Sequence, residues 1–259
     1  MNNDLRKKIV ELVCKAKEGH IPSTFSIVDI ISTLYKNVLK VNPKNPNWED
    51  RDYFILSKGH GGLALFVVLH KYGFLTDEQL ESYSTLGSIL GGHPDVTKVP
   101  GAEASTGSLG HGLSFSLGIA LGHKINKAEN RVFTLIGDGE SQEGTIWEAA
   151  QVGVNLKLGN LCIIVDNNQS AAQLMPLQNP AKRWEAFGWN VFEIDGHDEQ
   201  ELINIINKID FKGNIPSVII ANTIKGKGVK MTEGHGQWHH KIPNKEEYKI
   251  LMEELSGKN

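Results

Sequence analysis

The sequence predicts an α/β fold in which a parallel β-sheet is sandwiched between helices. Two apolar runs rich in branched side chains, residues 132–136 and 161–165, flank a stretch, 145–156, whose apolar side chains recur at helical spacing. Strand, helix and strand in that order form a parallel βαβ unit. Polar residues follow both apolar runs directly, and ligands of open parallel sheets bind at that edge.

The remaining elements follow from the same periodicities. The residues before this unit predict helices at 3–17, 26–38, 63–72 and 113–123 and a strand at 52–57. The residues after it predict a short helix ending near 188, strands at 189–194 and 216–221, and helices at 199–209 and 244–254. No repeat or linker divides the chain, so we expect one domain over 1–259, with a helical N-terminal segment 1–41 and a C-terminal helix 244–255.

Composition narrows the class of protein. The chain has 259 residues, 40% of them hydrophobic and 22% charged, and a formal net charge of −3. This near-neutral balance gives no support for binding nucleic acid or an anionic membrane. The N-terminus lacks a signal-peptide core and no stretch is long enough to span a bilayer, so a cytoplasmic protein is expected. Cys14 and Cys162 have no metal or redox spacing and are expected to be buried thiols.

Candidate metal ligands follow the two predicted strands. Asp138 follows the first apolar run and Asn168 follows the second, thirty residues later. Adjacent parallel strands would place the two side chains together. A carboxylate and an amide oxygen are hard ligands, suited to Mg²⁺ or Ca²⁺ that also holds a diphosphate. Gly137 and Gly139 would let the backbone approach phosphate oxygens closely.

GDG followed about thirty residues later by NN resembles the thiamine-diphosphate motif, and GDGESQEGTIWEAAQVGVNLKLGNL resembles the transketolase family in particular. The resemblance implies the thiamine-diphosphate-binding fold, as its PP-type domain, with thiamine diphosphate and Mg²⁺, or Ca²⁺, as cofactors. It also implies a metal site formed by Asp138, Asn168 and the backbone oxygen of Ser170. The cofactor contacts implied at the first strand end include Gly137, Asp138 and Gly139.

Several histidines follow glycines or a tryptophan in family-like turns. EGHIP, SKGHGG, GGHP and QWHH contain His20, His60, His93 and His239. By resemblance, His20 and His93 contact the sugar donor, while His60 and His239 lie near the diphosphate and the reacting carbon. An imidazole titrates near neutral pH and can exchange protons with sugar hydroxyls. The sequence departs from the family at Ile21 and at the following Ser-Thr, which leaves the shape of the donor site open.

Other positions have family counterparts. The backbone of Gly107, Ser108 and Leu109 is implied to face the aminopyrimidine ring, and His111, where the family has glutamine, either contacts the cofactor or caps a helix. Glu143 is implied near the cofactor, and Glu143 with Glu148 in a buried network at a dimer interface. His197 is expected to be structural. A zinc site at His235 and His239 is disfavoured by the surrounding glycines, and His235 and His240 receive no role.

The resemblance covers only the first half of a full-length transketolase. It therefore implies one subunit of a two-subunit enzyme, inactive alone, that needs a separate C-terminal, pyrimidine-binding subunit, with two copies of each as the expected heterotetramer. The implied reaction transfers a two-carbon glycolaldehyde unit from a ketose to an aldose, with pentose-phosphate sugars as the default. The alternatives are a modified sugar, sulfonated or branched, and a non-catalytic scaffold subunit.

Two other thiamine-diphosphate families fit less well. Deoxyxylulose-phosphate synthase shares the motif, but it keeps both halves in one chain and matches KGKG and WH poorly. The α subunit of 2-oxo acid dehydrogenases lacks the series of glycine-histidine turns.

Overall fold

Five parallel strands form the sheet at the centre of the chain. The computed structural model describes residues 2–172, 174–176, 178–234, 236, 238 and 240–257. The strands are β1 (Tyr53–Leu56), β2 (Val132–Gly137), β3 (Leu161–Asn167), β4 (Asn190–Asp195) and β5 (Ser217–Asn222). They lie in the order β1-β2-β3-β5-β4, and every neighbouring pair is parallel. The predicted α/β class is confirmed.

Helices cover both faces of the sheet. In chain order they are α1 (Asn3–Ala16), α2 (Ile21–Phe25), α3 (Val28–Thr33), α4 (Gly62–Lys71), α5 (Asp77–Glu81), α6 (His111–Ile125), α7 (Gly144–Asn155), α8 (Pro180–Ala186), α9 (Glu199–Ile206) and α10 (Lys245–Leu255). The apolar side chains of α6 and α7 and Trp184 of α8 share one core with the sheet, and those of α1 to α4, α9 and α10 share the other. None of the helices described is long and apolar enough to cross a membrane.

The two cores explain why the strands read as continuous apolar runs. Phe133 and Leu135 of β2 lie in the core beneath α1 to α4, whereas Val132 and Ile136 lie in the core beneath α6 and α7. Successive side chains of a strand point to opposite faces, and both faces are covered here. The strands β2, β3 and β5 are therefore buried along most of their length, whereas the edge strand β4 is largely exposed or half-buried.

Two expectations need correction. The helix predicted at 26–38 is instead α3 followed by a π-helical turn, Leu34–Val38, and α2 precedes it where no helix was predicted. At the division between α2 and α3, the Ser26 hydroxyl donates to the Asp166 carboxylate at 2.8 Å, a tertiary contact that apolar spacing does not reveal. Cys162 is buried as expected, but Cys14 is only partly buried.

Gly112 and Gly118 of α6 form a matched pair for testing how closely this helix packs. A Cβ on Gly112 would lie 2.5 Å from Ser57 Cβ and 2.7 Å from Ser57 Cα, whereas a Cβ on Gly118 would meet nothing within 4 Å. We expect Gly112→Ala to lower the free energy of unfolding by about 1–3 kcal/mol through overpacking. Gly118→Ala should raise it by about 0.5–1 kcal/mol. Urea unfolding of the isolated chain measures both, and equal effects would contradict the packing argument.

A buried ion pair ties the N-terminal helices to the strand layer. Arg6 and Asp29 are joined at 2.6 Å with side chains 0% and 2% exposed, and His197 Nδ1 lies 3.1 Å from Asp29 Oδ2. The second ring nitrogen of His197 accepts from the Ile224 N–H at 2.9 Å. His197 thus has the structural surroundings that the sequence predicts. Burial by itself raises the pKa of Asp29, but the hydrogen bonds from His197 and Arg6 and the guanidinium charge outweigh it and hold this pKa well below its usual range.

The depressed pKa of Asp29 fixes the sign of an acid effect on stability. A carboxyl with a lower pKa in the folded chain contributes stability that is present above its unfolded pKa, about 3.9, and is lost as pH falls below it. We expect the free energy of unfolding of the wild-type chain to fall more steeply below about pH 4 than that of Asp29→Asn. Urea unfolding at a series of pH values measures this difference, and parallel profiles would contradict the assignment.

Candidate active site

The parallel register of β2 and β3 brings Asp138 and Asn168 to one edge of the sheet. Gly137 pairs with Asp166, and the Asp138 N–H donates to the Asp166 carbonyl at 3.1 Å. Asp138 and Asn168 are each 5% exposed, and both line a cavity of about 390 Å³. Burial raises the pKa of the Asp138 carboxyl, so a cation beside it would stabilise the charged form.

Hydrogen bonds orient the oxygen atoms at this edge. Asn168 Nδ2 donates to Asp166 Oδ2 at 2.7 Å, while Asn168 Oδ1 accepts from the Ser170 N–H at 2.9 Å. The Ala171 N–H donates to Asp138 Oδ2 at 3.3 Å. Within the described part of the chain, no group of three His, Cys, Asp or Glu side chains forms a metal cluster. The predicted set is of another kind, because it joins a carboxylate, an amide oxygen and a backbone oxygen, and these donors fit Mg²⁺ or Ca²⁺.

Asp166 is the buried centre of the polar network beneath the cavity. Its carboxylate accepts from Lys58 Nζ at 2.5 Å, and the Thr223 hydroxyl also donates to it. The side chains of Lys58 and Asp166 are 3% and 0% exposed. A buried carboxylate needs both a countercharge and hydrogen bonds, and this one receives both. Asp166 thereby fixes the rotamer of Asn168.

Two predicted histidines lie side by side at the cavity. His20, at the start of α2, and His60, in the turn after β1, both line it, with ring centroids 5.5 Å apart. The His240 ring lies 4.6 Å from the His20 ring, and its Nε2 is 3.7 Å from Glu18 Oε1. The structure therefore brings His240, which had no predicted role, into contact with His20, a residue that lines the cavity. His235 and His239 lie outside the described residues.

The loop before α6 packs closely against the turn at Gly59 and contributes to the same cavity. A Cβ on Gly59 would lie 2.7 Å from the Thr106 carbonyl carbon and oxygen, so only glycine permits this approach of the two backbones. Gly107 and Leu109 line the cavity, as expected, whereas Ser108 is exposed and does not line it. A Cβ on Gly107 would lie 3.2 Å from the His93 ring, which places His93 beside this loop.

Glu140 is a functional-site residue that the sequence reasoning missed. It is 2% exposed and lines the cavity. Its carboxylate accepts from the Gly110 N–H at 2.9 Å, the Gly137 N–H at 3.1 Å and the Ser57 hydroxyl. Burial raises the pKa of Glu140. The residue joins three loops of the site, and its place directly after GDG was the available signal.

Lysine side chains are also part of this edge. Lys58 lines the cavity, and Lys225 Nζ lies 2.5 Å from Ser170 Oγ. Burial and the nearby Lys58 charge lower the pKa of Lys225. The TIKGKG turn after the last strand was the signal for Lys225, although KGKG alone indicates phosphate binding only weakly. Ser23 and Ala171 also line the cavity and were not predicted.

Three acidic or histidine positions lie away from this cavity. Glu143 is the residue before α7, Glu148 lies within that helix, and both are exposed in the single chain. Their predicted places near the cofactor and at a dimer interface stay predictions. His111 begins α6, is exposed, and places Nδ1 3.0 Å from the Leu109 carbonyl. Its observed contact is within its own loop.

An open parallel sheet with a polar cavity at the carboxyl ends of its strands defines an α/β protein that binds a small ligand there. The chain belongs to the transketolase family: the model described as transketolase, thiamine diphosphate binding domain, matches residues 1–257. The predicted family is confirmed, and with it a thiamine-diphosphate-binding domain.

Relatives of similar length are subunits of transketolases. The chain is 41% identical to a subunit of the apulose-4-phosphate transketolase of Phocaeicola vulgatus, covering 97% of this chain and 91% of that one. It is 37% identical to 6-deoxy-6-sulfo-D-fructose transketolase subunit SqwG of a Clostridium species, covering 98% and 94%. The crystal structure of Campylobacter jejuni transketolase superposes with a TM-score of 0.91 at 32% identity, covering 98% of this chain and 42% of that one.

Proposed function

We propose that the chain is the thiamine-diphosphate-binding subunit of a two-subunit transketolase that transfers a glycolaldehyde unit from a ketose to an aldose. The observation that carries the proposal is that Asp138, Asn168, His20 and His60 all line the same cavity. The relatives of similar length are named as subunits, whereas the chain spans only 42% of the Campylobacter transketolase. These lengths support a separate C-terminal subunit that supplies the pyrimidine-binding half, in a heterotetramer of two plus two.

Each part of the site has a proposed role. Asp138, Asn168 and the backbone oxygen of Ser170 would hold Mg²⁺, and Lys225 would lie beside the diphosphate. Bound thiamine diphosphate supplies the carbon nucleophile and the electron sink for cleaving the bond beside a ketose carbonyl. His20, His60 and His93 orient sugar hydroxyls and exchange protons with them. Gly107 and Leu109 also line this cavity.

The names of two relatives favour a modified sugar as substrate. One is named for apulose 4-phosphate and the other for 6-deoxy-6-sulfo-D-fructose. The residues after His20, Ile-Pro-Ser-Thr, also depart from the family's usual glycine-rich segment. We therefore propose a branched or sulfonated sugar as the donor, ahead of the ordinary sugars of the pentose-phosphate pathway.

Reconstitution tests the assembly and the substrate separately. The chain is assayed alone and mixed with its candidate partner subunit, in thiamine diphosphate and Mg²⁺, against xylulose 5-phosphate, apulose 4-phosphate and 6-deoxy-6-sulfo-D-fructose with an aldose acceptor. Turnover only in the mixture supports the two-subunit enzyme, and the preferred donor identifies the sugar class. Turnover by the chain alone would contradict the need for a partner. A complex that binds the cofactor without turning over any donor would support the scaffold alternative.

A further inference from the structure

We propose that a second cleft, at the opposite edge of the sheet, binds a small polyphosphorylated anion. This basic cleft has a volume of about 450 Å³ and is lined by the loops that lead into β2, β3 and β5. Its volume is larger than that of the active-site cavity and lies within the range of small-molecule pockets, about 300–1,000 Å³. A strand of six or seven residues separates the two edges by roughly 20 Å, so the cleft is distinct from the cofactor site.

Cations dominate the lining of the basic cleft. It is lined by six cationic side chains and one carboxylate, Glu129. The cations are Lys40, Lys124, Lys127, Arg131, Lys157 and Lys212. The chain as a whole carries a net charge of −3, so composition does not account for this concentration of positive charge. A concave surface lined by one sign of charge raises the local concentration of counter-ions.

Three of the six cations have structural partners. Arg131 pairs with Asp52 at 2.5 Å, and Lys212 pairs with Glu129 at 2.5 Å. Lys124 Nζ donates to the carbonyls of Leu156 and Lys157 at 2.9 and 2.7 Å, just beyond the last turn of α7. A lysine at the end of a helix is ordinarily explained by such contacts. These three residues therefore need no ligand to explain them.

Among the described residues, the other three cations have no such side-chain contacts, although Lys127 and Lys157 each lie two residues after the end of a helix, α6 and α7. In the described part of the chain, the ammonium groups of Lys40, Lys127 and Lys157 form no salt bridge, although the hydrogen bond from Lys212 and, to a lesser extent, the Lys40 charge lower the pKa of Glu129. Lys124 already donates to the carbonyls that follow α7. Like charges that converge on one concave surface repel one another, and a multivalent anion relieves that repulsion. Lysine ammonium groups bind phosphates as point charges. The bounded volume of the cleft favours a small molecule over an acidic peptide.

Calorimetric titration of inorganic tripolyphosphate into the full chain, at low ionic strength and without Mg²⁺, tests the proposal. We expect one site whose affinity falls at least about tenfold in the double variant Lys127→Gln/Lys157→Gln, because charge-assisted contacts are lost. Lys245→Gln/Lys249→Gln removes the same charge from α10, and Asn168→Ala alters the cofactor edge. Both controls should bind as the wild type does, and binding should weaken as salt is added.

Several outcomes would overturn the proposal. The first is an absence of tripolyphosphate binding, and the second is an equal loss of affinity in both lysine double variants. The third is a loss of affinity in Asn168→Ala while Lys127→Gln/Lys157→Gln still binds, which would place the anion at the cofactor edge. Binding of poly-glutamate where tripolyphosphate does not bind would assign the cleft to an acidic polypeptide instead. The four lysines are exposed, so thermal unfolding of both pairs should match the wild type. None of these readouts depends on transketolase activity.

Discussion

Replacing Asp138 with alanine should reduce the activity of the reconstituted two-subunit enzyme at least about a thousandfold, equivalent to roughly 4 kcal/mol in the activation free energy. Asp138 is the only carboxylate in the proposed metal-binding set, and it lines the cavity together with Asn168. Without it the divalent cation loses its charged protein ligand, and the diphosphate loses the cation that would anchor it. Burial makes an uncompensated charge unfavourable here, so the folded chain should tolerate the loss of this carboxylate.

Asp195→Ala is the matched control for Asp138→Ala. Asp195 ends β4 in the same sheet, but it is exposed and lies outside the lining of the active-site cavity. We expect near wild-type turnover in this variant. Thiamine-diphosphate binding, followed by quenching of tryptophan fluorescence, should be lost in Asp138→Ala and retained in Asp195→Ala. Strong Mg²⁺-dependent cofactor binding by Asp138→Ala would contradict the metal assignment.

The strands and their polar ends were predictable because they depend on local patterns. The predicted strand 132–136 and strand 161–165 correspond to β2 and β3, each longer by one or two residues. Both extensions carry polar or glycine residues, which an apolar pattern does not count as strand. Once these two strands are adjacent and parallel, their register alone brings Asp138 and Asn168 together.

The polar network beneath the site depends on contacts between distant segments. The Asp166 carboxylate accepts hydrogen bonds from Ser26, Lys58 and Thr223, which are 140, 108 and 57 residues away in sequence. In the sequence, Asp166 reads only as the end of an apolar strand. A fully buried carboxylate is visible only when the tertiary structure shows what surrounds it. The same holds for Glu140, since two of its partners, Gly110 and Ser57, are 30 and 83 residues away in sequence.

The histidines also differ in whether a local motif or only the tertiary structure identifies them. Glycine-histidine turns made His20 and His60 predictable, since each follows a recognisable break between elements. His240 reaches His20 from a segment 220 residues later, and only the folded chain places the two rings 4.6 Å apart. The contact between His20 and His240 is therefore a product of topology rather than of any local motif.

Lys58→Met should lower the free energy of unfolding by about 3–5 kcal/mol, because it leaves the buried Asp166 carboxylate without its countercharge. The side chain of Asp166 is fully buried, and Lys58 Nζ is its cationic partner at 2.5 Å. Asp166→Asn should destabilise the chain in the same way by leaving the Lys58 charge unpaired. The double variant Lys58→Met/Asp166→Asn removes both charges and should lose much less than the sum of the two single changes.

The exposed pair of Lys212 and Glu129 is the control for this double-mutant cycle. Its side chains are 77% and 70% exposed and 2.5 Å apart, so the two pairs share their geometry and differ in burial. Lys212→Met, Glu129→Gln and their combination should show effects that simply add, because solvent screens exposed charges. Urea unfolding of the isolated chain measures both cycles. If Lys58→Met were no more destabilising than Lys212→Met, Asp166 would not depend on its ion pair, and the proposed support of Asn168 would lose its basis.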